Sequence, residues 1–304
     1  MITRSVKPKA PTYKRQRLLL FFLEALDGAV SKMDLQKLLF LYHAEKEAEH
    51  YAFVPFRYGC YSFLAADDLD LMDKRGWISV GEKEFSLVED ISRESWARQN
   101  EERRAVKRWL YRHPERGEDL VHTTYRRFPF YAIHSEMKER LLSQEELNAV
   151  AASLPEVKPE EVIVFTIGYE GIHFEEYLNK LIRNRVSVLC DVRRNPLSRK
   201  FGFSSRMLSK VLPKLGIEYV HFPELGIESD KRQELNSMAD YERLFAGYRE
   251  ELPTRREGLE RLQEVIEQNK RVALTCFEAE PHCCHRHCIS DLLEADIGYK
   301  VTHL

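Results

Sequence analysis

Apolar residues recur at helical spacing in the first half of the chain and form short unbroken runs in the second, so the two halves predict different folds. Residues 13–26, YKRQRLLLFFLEAL, place Leu19, Phe22, Leu23 and Leu26 on one helical face before Asp27 and Gly28 break the pattern. Ser31 is the N-cap of a second helix, in which Leu35, Leu38, Leu39 and Tyr42 have core spacing. After a turn through VPFRYGCYS, a third helix runs from about Ser62 to Arg75, with Leu64, Leu69 and Met72 apolar and Gly76 ending it. WISV and FSLVED then flank the polar turn GEKE and predict a small β-hairpin. Three helices and a hairpin are the order of a winged-helix domain, here residues 1–152, mainly α.

Residues 153–161, SLPEVKPEE, join two prolines to acids without apolar periodicity and read as a linker. Beyond it, VIVFTIGY, VSVLCDV, IEYVHF, KRVALTCFE and YKVTHL read as strands. HFEEYLNKLIRNR, SSRMLSKVLPKLGI, the stretch from Asp240 to Gln268 and HRHCISDLLEADI read as helices between them. This alternation predicts an α/β domain over 162–304, a Rossmann-like and mostly parallel sheet with helices on both faces.

A length of 304 residues agrees with two domains, and 43% hydrophobic with 32% charged residues describes a folded, soluble chain. No apolar run has the length of a membrane span, and Leu18 to Leu23 is followed at once by Glu24, against a signal peptide. Four of the six cysteines fall between Cys276 and Cys288 among histidines. That is a reactive or metal-binding cluster more than a disulfide scaffold, so a reducing, cytoplasmic location and no membrane partner are expected. The net charge of −2 hides two basic runs: residues 1–17 hold six Arg or Lys and no acid, and residues 192–217 hold seven and no acid.

LQKLLFLYH, FRYGCYSFLAADDLDLMDKRGWI and YRRFPFYAIHSE resemble a family of bacterial winged-helix-type proteins over roughly residues 15–140, with Cys60 where the family's turn commonly has proline. The resemblance implies DNA binding or a protein-protein seam, which leaves a homodimer open. Asp67, Asp68, Asp70 and Asp73 make the third helix wrong for phosphate contact. DNA contacts are expected instead from the N-terminal tail, Arg57, the hairpin, the TYRRF arginines or the helix carrying Arg103, Arg104, Lys107, Arg108 and Arg112, whose Trp109 and Leu110 belong to the core.

TIGYEG, CDVRRNPLSRKFGFS, YVHFPELG and TCFEAEPHCCHRH resemble the domain of unknown function 488 family over residues 162–304. That resemblance implies a fold and a site position but no reaction; the family's context implies nucleic-acid metabolism and prokaryotic defence.

In parallel sheets ligands gather beyond the carboxyl ends of the strands. Here those ends carry Gly168, Tyr169 and Glu170; Asp191, Arg193 and Arg194; His221 with Glu224; and Cys276 with Glu278. As a hydrolase or glycosidase-like site, Glu278 and Asp191 would pair as acid/base or nucleophile. Arg193, Arg194, Lys200 and Arg286 would hold phosphate, and Tyr169 would stack on a base or sugar. Gly168 and Ser198, within the TIG and DVR-x-x-P-x-S motifs, complete the expected substrate-binding set. Against this, Glu278 could serve only an ion pair with Arg286 or Arg193.

A sulfur- or phosphoryl-transfer reading uses Cys276 or Cys284, with His285, Arg286 and a helix N-terminus lowering a thiol pKa. The ten positions from Cys276 to Arg286 exceed the loop length that rhodanese-like and phosphatase-like enzymes use, and Cys276 and Cys288 also suit plain core positions. Zinc donors are ample, but neighbours on one chain cannot all point inward and no pair of C-x-x-C knuckles occurs, so no metal is assigned and the cofactor stays open. The leading expectation is a DNA-directed enzyme that processes a nucleotide or modified base. The alternative is a non-enzymatic DNA-binding regulator that senses a nucleotide ligand or thiol oxidation.

Overall fold

Leu18 to Leu23 are buried on every side, so α1 (Lys14–Ala25) is a central helix and not the one-faced helix its spacing predicts. This computed structural model describes residues 10–88, 90–98, 100–158, 160–228 and 237–304; Arg4, Lys7 and Lys9 of the basic tail lie outside them. The chain divides into two units, Met1–Ser153 and Leu154–Leu304. No helix among the described residues is long and apolar enough to cross a membrane.

In the first unit β1 (Ala29–Ser31) leads into α2 (Lys32–Lys46), capped by the Ser31 side chain on the Asp34 amide. The segment predicted only as a turn is a second hairpin, β2 (Val54–Phe56) with β3 (Gly59–Tyr61), too short to show a period in sequence. α3 (Phe63–Lys74) follows, capped by Ser62, and then β4 (Ile78–Val80) and β5 (Glu84–Leu87). β5 pairs antiparallel with both β4 and β1, giving the order β1-β5-β4. α4 (Glu101–Tyr111) buries Val106, Trp109 and Leu110, while Arg104, Lys107, Arg108 and Arg112 stay exposed and Arg103 pairs with Glu24. α5 (Gly117–Arg127), α6 (Lys138–Leu141) and α7 (Gln144–Ala152) complete the unit.

The acids of α3 do not act alike. Asp67, Asp70 and Asp73 face solvent, but Asp68 turns inward and accepts hydrogen bonds from Arg15, Gln16 (2.7 Å) and Tyr51 (3.0 Å). Removing a carboxylate so enclosed strands three donors, one of them cationic. Asp68→Ala is expected to destabilise the first unit by about 3 kcal/mol in chemical denaturation. A loss under about 1 kcal/mol, the ordinary range for an exposed pair, would show that this network is not structural.

The second unit contains β6 (Ile163–Gly168), α8 (Phe174–Arg183), β7 (Val188–Asp191), α9 (Ser205–Val211), β8 (Glu218–His221), α10 (Met238–Glu251), α11 (Arg256–Asn269), β9 (Arg271–Cys276), α12 (Arg286–Leu292) and β10 (Lys300–His303). All four strand pairings are parallel, in the order β10-β6-β9-β7-β8. One face of the sheet packs Val164, Val188, Cys190, Val272 and Leu274 against α10, α11 and α12. On the other, Tyr177 of α8 hydrogen-bonds Thr275 (2.8 Å) between β9 neighbours that point away from it.

Each unit encloses its own apolar core, around Leu18 to Leu23 in the first and around Val164, Val272 and Leu274 in the second. Residues 1–153 and 154–304 expressed separately are therefore expected to be soluble and to unfold cooperatively. Insolubility of both pieces would show that they share a core.

Candidate active site

β9 lies between β6 and β7 in the sheet. The chain leaves β6 toward α8 on one face and leaves β9 toward α12 on the other, so the loops part and open a crevice at the carboxyl ends. Gly168 stands opposite Cys276, and the segment after β9 folds back over it: the Tyr169 and Glu170 amides both donate to the Phe277 carbonyl (3.0 and 2.9 Å). A Cβ at Gly168 would sit 1.8 Å from the Glu278 carbonyl oxygen, so only glycine permits this approach. Gly226, in the LG element, likewise admits the Arg194 backbone, whose nitrogen would lie 2.2 Å from a Cβ there.

The crevice holds a cavity of about 340 Å³ lined by Tyr169, Arg193, Arg194, Asn195, Leu197, Ser198, Arg199, Ile227, Cys276 and Phe277. Five of the expected site residues thus meet there: Tyr169, Arg193, Arg194, Ser198 and Cys276. The surroundings of Arg193 and Tyr169 differ from those expected. Arg193 is buried and bidentate on Asp191, with Nε on Oδ1 at 2.8 Å and Nη2 on Oδ2 at 2.5 Å; its Nη1 serves the Tyr169 hydroxyl and the Phe203 carbonyl. Burial opposes the charge, but the hydrogen bonds and attraction of Asp191 outweigh it and raise the Arg193 pKa further. Tyr219 donates to the second Asp191 oxygen at 2.8 Å. Asp191, fully buried, is therefore saturated by Arg193 and Tyr219 and is placed as an anchor, not as the acid/base partner of Glu278.

Tyr169 stacks on Phe203 with ring centroids 4.3 Å apart and meets Phe277 edge to face, so it is packed inside the wall. Phe277, 42% exposed, presents the open aromatic surface instead. Lys200 donates to the Tyr169 carbonyl (2.6 Å) and does not line the cavity. Arg286, expected on phosphate, is buried and tied to the carbonyls of Glu278 and Ala279 and to the Thr166 hydroxyl. It fixes the segment after β9 from beneath. Exposed Arg194 and Arg199 are the guanidinium groups of the rim.

Below the cavity, Cys276 donates its thiol to Glu278 Oε2 (3.3 Å). The Cys276 and Cys284 sulfurs lie 3.6 and 3.8 Å from His285 Nδ1, while His285 Nε2 contacts the Val192 carbonyl at 2.9 Å. The donor atoms of Cys276, Cys284 and His285 lie within 4.8 Å of one another, and all three residues are buried. Cys284 does not have the surroundings expected of an acidified thiol: burial and the nearby Cys276 push its pKa up, and α12 begins only at Arg286. Cys288, with its thiol pushed up to about 11 by burial, packs in the core with Ile289 and Leu293.

Asn195, Leu197, Arg199, Ile227 and Phe277 are cavity residues that the strand-end reading did not select. Arg199 was visible within the basic run, and Phe277 lies between Cys276 and Glu278; the other three carry no chemical signal in sequence.

Residues 173–293 match the model of a family described as a domain of unknown function, DUF488. The matched span contains the DVRRNPLSRKFGFS segment, the LG element and the C-x-E…CHR cluster, and supports the similarity of the C-terminal unit to that family. No curated protein and no solved structure matches the chain.

The clamp at Asp191 makes an ordering testable. Asp191→Asn leaves a buried guanidinium without its counter-charge and is expected to cost about 3 kcal/mol of stability. Tyr219→Phe removes one hydrogen bond and is expected to cost about 1 kcal/mol. Equal losses in thermal or chemical unfolding would show that the ion pair does not organise this wall.

Proposed function

We propose that this protein is a DNA-directed enzyme whose C-terminal cavity hydrolytically processes one nucleotide or modified base. The observation that carries the reading is the lining of the cavity: Arg194 and Arg199 at the rim, the open ring of Phe277 on one wall and Cys276 at the floor, with Glu278 hydrogen-bonded to it. Guanidinium groups suit phosphate oxygens through charge-assisted hydrogen bonds, and an exposed ring suits a base. A volume of about 340 Å³ falls at the small end of ligand pockets, enough for one nucleotide unit and too small for a duplex. A base reaching it from DNA would have to leave the stack. Glu278, which accepts a hydrogen bond from Cys276 at the cavity floor, is the carboxylate proposed for proton transfer, since Asp191 is held in the bidentate pair with Arg193.

The first unit supports a winged-helix role through its element order, three helices and a hairpin with β1 closing the sheet. The exposed acids of α3 disfavour that helix as the DNA-facing one. Arg104, Lys107 and Arg108 of α4 are the described basic face that suits phosphate contact. The alternative of a DNA-binding regulator sensing thiol oxidation draws on one feature, two cysteine sulfurs beside the same His285 nitrogen.

The test incubates the protein with modified and unmodified, single- and double-stranded DNA and searches by mass spectrometry for released bases, nucleotides or strand breaks. Binding is expected to weaken steeply with salt, and Arg194→Glu with Arg199→Glu to weaken it on the order of tenfold or more. Glu278→Gln is expected to lower turnover by about 10²-fold or more with unfolding unchanged. DNA binding without any product would favour the regulator; no binding at low salt would remove both readings.

A further inference from the structure

Cys276 closes β9, whereas Cys284 and His285 precede α12, and the intervening turn carries these two segments back onto each other. Of the seven Cys and His residues between 276 and 288, only these three converge, and they are the one such donor group of three or more among the described residues. We propose that Cys276, Cys284 and His285 form a zinc-binding site with one coordination position left toward the cavity.

Three independent features carry this. The first is spacing. Zinc bonds of about 2.3 Å to sulfur and about 2.0–2.1 Å to nitrogen, at a tetrahedral angle, place the two donors roughly 3.6 Å apart. The sulfur-to-Nδ1 separations of 3.6 Å from Cys276 and 3.8 Å from Cys284 match that edge, and the two sulfurs lie within 4.8 Å of each other.

The second is aim. His285 Nε2 lies 2.9 Å from the Val192 carbonyl, an oxygen that can only accept, so Nε2 donates there and Nδ1 is the ring nitrogen that faces the two sulfurs. Zinc-ligating histidines are oriented by this kind of outer hydrogen bond.

The third is surroundings. All three residues are buried, and of the three only Cys276 borders the cavity. Three protein ligands and one open position are the pattern of a zinc that takes a water or a substrate atom in the fourth place. Sulfur donors favour zinc over magnesium or calcium. Binding releases both thiol protons to solvent, and the ion's double charge is balanced by the two thiolates. Zinc binding here does not depend on a nucleotide in the cavity.

The experiment uses the full chain, reduced, stripped with a chelator and titrated with zinc or cobalt(II) salts. About one ion per chain is expected, and cobalt should give sulfur-to-metal charge-transfer bands and the visible bands of a tetrahedral site. Cys276→Ser, Cys284→Ser and His285→Asn are each expected to weaken binding on the order of a hundredfold or more, while Cys283→Ser and Cys288→Ser leave it unchanged. Should a ligand variant fail to fold, alkylation of the wild-type chain at a denaturant concentration that exposes Cys276 and Cys284 in the stripped protein reads the same question: zinc should protect those two and leave Cys283 reactive. Far less than one ion per chain, cobalt spectra without sulfur bands, or no protection of Cys276 and Cys284 would overturn the site. So would loss of binding in Cys288→Ser with retention in Cys284→Ser.

Discussion

The wall of the cavity depends on a single buried cation. A guanidinium taken out of water is costly unless nearly all its donors find acceptors, and Arg193 places four N–H bonds on Asp191, Tyr169 and Phe203. Those bonds join the end of β7 to the strand end after β6 and to the irregular segment before α9. That segment has no ladder of its own to hold it, so the ion pair supplies the order that a strand would otherwise give. Arg193 is thereby a framework cation, and positive charge able to reach a ligand passes to Arg194 and Arg199.

Much of this architecture was legible because fully buried strands must be apolar along nearly their whole length. IVFTIG and VALTC are buried at every position and apolar at all but Thr166 and Thr275, and Ser31 and Ser62 mark helix starts through their side-chain oxygens. Strand order was not legible. Placing β9 between β6 and β7 is decided by pairing across more than a hundred residues on one side and about eighty on the other, and no local pattern encodes it. α1 was misread for a related reason. Apolar residues at spacings of 3 and 4 define a face only if the positions between them are polar, and from Leu18 to Leu23 they are not.

The site was legible in composition and illegible in roles. Arg193 and Arg194 are adjacent and chemically identical, yet one is buried and one exposed, because an irregular backbone sets the direction of each side chain separately. Phe277, which the strand-end reading did not select, has the open surface expected of Tyr169: the phenol takes a hydrogen bond from Arg193 and is packed inward, and the ring without a polar handle is left at the surface. Arg286 shows the limit most clearly, since a guanidinium is expected outside and here it stitches backbone carbonyls under the loop.

The sulfur chemistry narrows for an electrostatic reason. A cysteine nucleophile must be a thiolate near neutral pH, and burial beside a second sulfur drives Cys284 the other way. The Arg286 charge opposes that shift without outweighing burial, and α12 begins only two residues later. A divalent cation inverts this balance, since it stabilises thiolate far more than desolvation disfavours it. The same enclosure that opposes a free thiolate at Cys284 is what a metal cage requires. The cluster therefore divides into two functions separated by Cys276: a dry ligand set behind it in Cys284 and His285, and a carboxylate beside it in Glu278, bordering a cavity whose charge is carried by arginine.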